Sequence, residues 1–191
     1  TGWSPRVKLP AEVNADALAA LHPDAISLPR LSYVHQLRGD LDQALDLMFA
    51  ARTAATGSPA QVARIDFFLA ELQLQIGDEV SARSFYEQAA SHESMAGRAY
   101  VAMAQLAVER GDAAAALELL DRPGVADAGL ATLETRARLA ALIDDQDGVD
   151  RLIEQIRGVV DGSMAAGIGI EASVVVIEAD GTLVKGWEFP C

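Results

Sequence analysis

Apolar residues over positions 11–160 recur at three- and four-residue steps, the spacing that lays one apolar stripe along an α-helix. Leu28, Leu31, Tyr33, Val34 and Leu37 predict a helix capped by Ser27, with Pro29 tolerated in its first turn. Leu41, Ala44, Leu45, Met48 and Phe49 predict the next, capped by Asp40, with Gln43 three residues on as in a capping box. Ser58, Pro59 and Gln61 repeat that signature before a helix over 60–76 that carries Val62, Ile65, Phe68, Leu69, Leu72 and Ile76. Helices follow over 79–91, over 95–110 with Ser94 as cap, and over 113–121, which Pro123 closes. A less regular pair is predicted over 127–142 and 147–160. A short helix over 11–21 precedes them all and stops before His22-Pro23.

The stops themselves recur. Gly39-Asp40, Gly77-Asp78 and Gly111-Asp112 each end one apolar run and open the next, with successive glycines spaced 38 and then 34 positions apart. A helix-stop and helix-start signal at that period is the signature of stacked helical hairpins. In the fourth pair, Asp144-Asp145-Gln146-Asp147-Gly148 replaces the Gly-Asp signal, as expected of an atypical terminal repeat.

At Gly158 the texture changes. Gly158, Gly162, Gly167 and Gly169 predict a linker over 158–172. Beyond it, Val174–Ile177 and Leu183–Trp187 flank Asp180-Gly181, a strong two-residue hairpin signal that would put Val174 and Val176 on one face with Leu183, Lys185 and Trp187. The expected organisation is a helical repeat domain over 1–160 and a glycine-rich linker with a hairpin tail over 161–191.

Composition narrows the function classes. Aromatics supply 5% of a chain that is 51% hydrophobic, so alanine carries much of the apolar content and favours close helix packing. A net charge of −13, with no stripe of Lys or Arg, argues against nucleic acid and against an anionic membrane surface. No apolar run reaches bilayer-spanning length. The single cysteine, Cys191, forms no internal disulfide and is compatible with a cytoplasmic setting. A chain that begins at Thr1 is expected of a processed or trimmed product.

Candidate chemistry is sparse. His22, His35 and His92 are scattered with no cysteine at ligand spacing, so no zinc site is expected. Asp145, Asp147 and Gly148 partly imitate a calcium loop, but Ile143 stands at its leading ligand position, and an acidic inter-helix turn is the better account. Gly167-Ile168-Gly169 lacks a third glycine and precedes a strand, which is wrong for a phosphate cradle. No catalytic residue, metal or cofactor is expected.

The Gly-Asp turns, the small residues Ala44, Ala82 and Ala116 after them, and the larger Met48, Tyr86 and Leu120 beyond resemble tetratricopeptide repeats. Tyr100, Met103, Ala104 and Ala107 match the first-helix pattern in the best unit, and the stretch from Leu28 to Asp40 looks like the bacterial branch of the family. The resemblance covers roughly 12–121 and departs at Asp66, where a large aromatic is usual, at Pro123, where an alanine is usual, and in a first interval lengthened by the Thr56–Pro59 loop. It implies a mostly α fold, a right-handed superhelical stack of antiparallel helix pairs, with the C-terminal β-hairpin outside it. It also implies a non-catalytic protein- or peptide-binding scaffold whose first helices line a concave groove. Carried over by position, the groove residues are Tyr33, Gln36, Arg64, Phe67, Glu71, Arg98, Val101 and Gln105. The Lys and Asn clamp that grips chaperone tails in this family is absent from the matching positions, while Arg64 and Arg98 suit bidentate contact with acidic groups.

Two alternatives stand beside the adaptor. The tail could be an arm for strand exchange, making the chain a homo-oligomeric assembly component. The array could also be a regulatory or recruiting piece detached from a larger protein.

Overall fold

The computed structural model describes residues 24–125, 129–165, 176–177 and 183–184. Their elements are α1 (Ser27–Leu37), α2 (Leu41–Ala54), α3 (Pro59–Gln75), α4 (Glu79–Ala90), α5 (Glu93–Glu109), α6 (Ala113–Leu120), α7 (Leu130–Leu142) and α8 (Gln146–Ala165), with two short strands, β1 (Val176–Ile177) and β2 (Leu183–Val184). The helix expected over 11–21 lies outside the described residues.

Four inter-helix turns are built alike. Gly39, Gly77, Gly111 and Asp144 take φ of 79°, 85°, 74° and 57°. The N–H of the next residue reaches five residues back: Asp40 to His35 at 3.0 Å, Asp78 to Gln73 at 2.9 Å, Asp112 to Ala107 at 2.8 Å and Asp145 to Ala140 at 2.9 Å. The left-handed residue's own N–H reaches three back in each case, from Gly39 to Gln36 at 3.0 Å through to Asp144 to Ala141 at 3.3 Å. This pair of bonds satisfies the carbonyls orphaned at a helix end and needs a residue that tolerates positive φ. The fourth turn therefore keeps the geometry of the Gly-Asp signal with aspartate in the left-handed place, a conformation that Asp tolerates better than most residues.

After the turn, the aspartate caps the following helix. Asp78 accepts from the Ser81 N–H at 3.0 Å, Asp112 from Ala115 at 3.0 Å and Asp145 from Gly148 at 2.9 Å. A Cβ on Gly148 would collide with the Asp145 carboxylate, so glycine there leaves the capping carboxylate its room. The calcium-like spacing of Asp145, Asp147 and Gly148 thus belongs to a helix cap.

Several expected caps differ. Asp40 makes no side-chain cap bond, because its carboxylate turns to the His35 ring, with Nδ1 3.1 Å away, and the capping box with Gln43 does not form. Ser58 is extended ahead of Pro59 but its hydroxyl makes no cap bond. Ser27 lies inside α1. The cap is Asp24, whose carboxylate accepts from Ser27 N–H at 2.7 Å while Asp24 N–H donates back to the Ser27 hydroxyl at 3.1 Å. α5 begins at Glu93, before Ser94, whose N–H donates to His92 Nδ1 at 3.2 Å.

The paired helices meet at small residues. Ser32, Ala70, Ala104 and Ala137 each stand seven positions before a left-handed turn residue, and Ala44, Ala82, Ala116 and Val149 five after. None of the eight is more than 4% exposed. Small side chains at both places let the two helix axes approach closely. Ser32 adds a buried tie, its hydroxyl donating to the Ala44 carbonyl at 2.7 Å.

The chain divides into two compact units between Ala99 and Tyr100. In the first, α1 packs on α2, α2 on α3 and α3 on α4, around Leu28, Met48, Ala51, Ile65, Leu69 and Leu72. In the second, Val101, Ala104 and Ala107 of α5 meet Ala116 and Leu120 of α6 and Leu139 of α7, and α7 packs on α8.

Two expectations for the C-terminal part are corrected. α8 runs through Gly158 and Gly162 to Ala165, past the boundary expected at 160/161 and into the expected linker. Isolated glycines cost a helix only about 1 kcal/mol each, less than the apolar stripe of Leu152, Ile153 and Ile156 supplies. In the tail, Val176 pairs with Val184 and Ile177 with Leu183, antiparallel. A two-residue turn at Asp180-Gly181 would have put Val176 opposite Lys185. The observed register is shifted by one, which places Val176 and Leu183 on opposite faces instead of the same one. The rest of the expected hairpin lies outside the described residues. Among the described residues, no helix is long and apolar enough to cross a membrane.

Candidate functional site

α3 carries three of the eight residues expected to face a partner. Its buried side places Ile65, Leu69 and Leu72 in the core, with Ala70 at 0% exposure against its neighbours. Arg64, Phe67 and Glu71 follow one another at three and four residues, so they share the opposite side.

An ion pair to a buried acid fixes that helix. Asp66 is 2% exposed and takes the Arg52 guanidinium of α2, with Nε at 2.5 Å and Nη2 at 3.4 Å from its two oxygens. The same Nη2 donates to the Gln88 side chain of α4 at 3.0 Å. The hydrogen bond to Asp66 holds the Arg52 proton more tightly than usual. One arginine thereby joins three helices, and Asp66, in a place where the resemblance led one to expect an aromatic, has a structural reason for being there. The sequence carried one sign of it: a carboxylate in the apolar stripe between Ile65 and Leu69 has to find a cation. Which cation is a matter of helices meeting in space, invisible to local spacing.

Above this lock the side chains form a short stack. The Phe67 ring lies edge-on to Tyr86 of α4, centroids 5.4 Å apart. Arg98 of α5 sits over the same Phe67 ring, its Cζ 5.3 Å from the centroid. Tyr86 is 1% exposed, and its hydroxyl donates to Glu71 Oε1 at 2.5 Å. Burial first, and the Glu71 carboxylate second, push the Tyr86 hydroxyl far above the ordinary tyrosine range, so it stays a donor. Glu71 is thus occupied from within. Tyr86 was legible only as a packing residue; a buried hydroxyl that needs an acceptor was the missed signal.

Arg64 and Arg98 are exposed, and among the described residues neither has a hydrogen bond or ion pair with an acid. Exposed Arg30 is likewise without such a partner, whereas other arginines are paired. Arg83 is paired with Glu87, Arg122 with Glu118, Arg138 with Glu134 and Arg157 with Glu154.

Of the eight residues expected to line a groove, the structure brings four together: Arg64, Phe67, Glu71 and Arg98. Tyr33, 56% exposed, and the half-buried Gln36 stand on α1, and no side-chain hydrogen bond or ring contact ties either to α3. Val101 is corrected: at 2% exposure it belongs to the core of the second unit, where its apolar side chain packs with Ala104 and Leu139. Gln105 is half-buried on the same helix. Among the described residues, no group of three or more His, Cys, Asp or Glu is placed to hold a metal ion.

No protein-family model matches the chain, and no curated protein matches its sequence.

Proposed function

We propose that this chain is a non-catalytic protein- or peptide-binding scaffold of the tetratricopeptide type, a right-handed stack of helix pairs that presents its first-helix faces to a partner. Four turns of one geometry, with small buried residues at matched places on either side, support the repeat reading. The observation that carries the binding reading is the surface of α3. There a half-buried aromatic ring is held in place by Tyr86 and overlaid by Arg98, with a second arginine one turn away. Rigid aromatic and arginine groups of this kind dominate the energy of protein interfaces, because they bring large contact area at low entropic cost.

The test is a selection of random peptides displayed against the intact chain, followed by titration calorimetry of the enriched peptides. Phe67→Leu keeps an apolar side chain at the site and is expected to weaken them about tenfold or more without loss of helicity. Failure of any peptide to enrich, or binding indifferent to Phe67, would contradict the scaffold.

A further inference from the structure

The stack on α3 also says what kind of partner fits it. Arg98 sits over Phe67 at cation–π distance, its Cζ 5.3 Å from the ring centroid, and its N–H groups have no acceptor among the described residues. Arg64, on the same side of α3 as Phe67, is likewise without an acceptor. A guanidinium offers a planar fork of donors that matches a carboxylate in a bidentate manner. Glu71, the acid nearest along this face of α3, is already engaged by the Tyr86 hydroxyl. The surface therefore presents two cations without an ion-pair partner among the described residues beside an apolar ring, on a chain whose net charge is −13.

We infer that this surface takes an extended peptide segment in which an internal Asp or Glu stands within two positions of a large apolar side chain. The carboxylate meets the Arg98 and Arg64 guanidinia, and the apolar group covers Phe67. This rests on the scaffold reading and adds the partner's chemistry to it. The overall negative charge sharpens the selection. Beyond about 8 Å the protein's field is screened at physiological salt, and a polyanion long enough to feel the surrounding acids, such as a nucleic acid, is repelled. One acid in a short apolar context feels mainly the two arginines. Both arginines are exposed on a helix face rather than enclosed, so the peptide chain can run on past the acid in either direction.

The experiment reads the sequences enriched in the peptide selection. The inference expects Asp or Glu within two positions of Phe, Leu, Ile, Trp or Met. Replacing that acid with the isosteric amide should weaken binding about tenfold, the range of a hydrogen-bonded charge pair. Arg98→Gln or Arg64→Gln should produce the same loss and remove the distinction between acid and amide peptides, with helicity by circular dichroism unchanged. If the enriched peptides carry no acid, or if the arginine variants bind as before, the acidic-partner inference fails while the scaffold stands. If nothing enriches, both fail. Binding that requires a free C-terminal carboxylate, binding that requires phosphoserine where Glu does not serve, or displacement of the peptide by a thymidine oligonucleotide would each overturn the assignment to an internal carboxylate.

Discussion

Phe67 and Val101 stand ten residues before their turn glycines, Gly77 and Gly111, yet they do opposite things. Phe67 is half-buried, edge-on to Tyr86 and covered by an arginine from α5. Val101 is 2% exposed and fills a core. The surrounding polar groups differ in the same way. In the first unit a buried acid and a buried hydroxyl reach across helices, Asp66 to Arg52 and Tyr86 to Glu71. In the second, the buried hydroxyls of Thr132 and Thr135 return to backbone carbonyls of Val125 and Ala131, at 2.7 Å each. Equivalent positions in a repeat thus share backbone geometry without sharing a role. What converts a repeat position into a surface for a partner is the side chain and what pins it.

The strongest way to break the contrast is to remove the pin. Arg52→Ala would strand Asp66 in the core. Orphaning a fully buried charge costs about 3–5 kcal/mol, and because Arg52 itself is 38% exposed the loss is expected nearer 2–3 kcal/mol by urea denaturation. The double variant Arg52→Met with Asp66→Leu should recover most of it, since no charge is then left unpaired. A double variant as unstable as the single would show that the loss comes from packing instead.

Next come the turns on which the equivalence of positions rests. Gly111→Val forces a β-branched side chain into a left-handed conformation and is expected to cost about 1–2 kcal/mol. Asp144→Gly at the matching place should be neutral or stabilise by up to about 1 kcal/mol. Equal losses at the two sites would refute the shared geometry.

Tyr86 gives a pH test. Its hydroxyl is raised in the folded chain, so the stability it contributes is complete below the ordinary tyrosine pKa of 10.0 and falls as pH rises above that value. The slope is about 1.4 kcal/mol per pH unit for one proton. Absorbance titration should show Tyr86 ionising only as the chain unfolds. Tyr86→Phe should remove that slope.

The smallest effect belongs to the end of the second unit. A Cβ on Gly158 or Gly162 meets nothing within 4 Å, so Gly158→Ala and Gly162→Ala should each stabilise α8 by about 0.5–1 kcal/mol. A thermal scan in which neither variant gains would argue that the helix ends before those residues.

Much of the helical fold was legible because helix stops are local. The Gly-Asp turns needed only a glycine, an acid and apolar runs on either side, and even the fourth turn was marked by Asp144-Asp145 in the right place. What escaped was non-local or energetic. The pairing of Asp66 with Arg52 joins residues on two helices, and the choice of Asp40 to face His35 instead of capping depends on where the preceding helix leaves that ring. The continuation of α8 through two glycines is a balance of small terms in which composition pointed to a linker. The candidate site was half legible: Arg64, Phe67, Glu71 and Arg98 were placed by position, whereas the burial of Val101 and the part played by Tyr86 required the packing.

The most direct test is chemical-shift mapping of the intact chain with a peptide from the display selection. The account predicts that the Arg64 and Arg98 side-chain N–H signals and the Phe67 ring signals move together and saturate at one affinity, while the Val101 methyls stay in place. Saturable binding that leaves the Arg98 and Phe67 signals unmoved would contradict it.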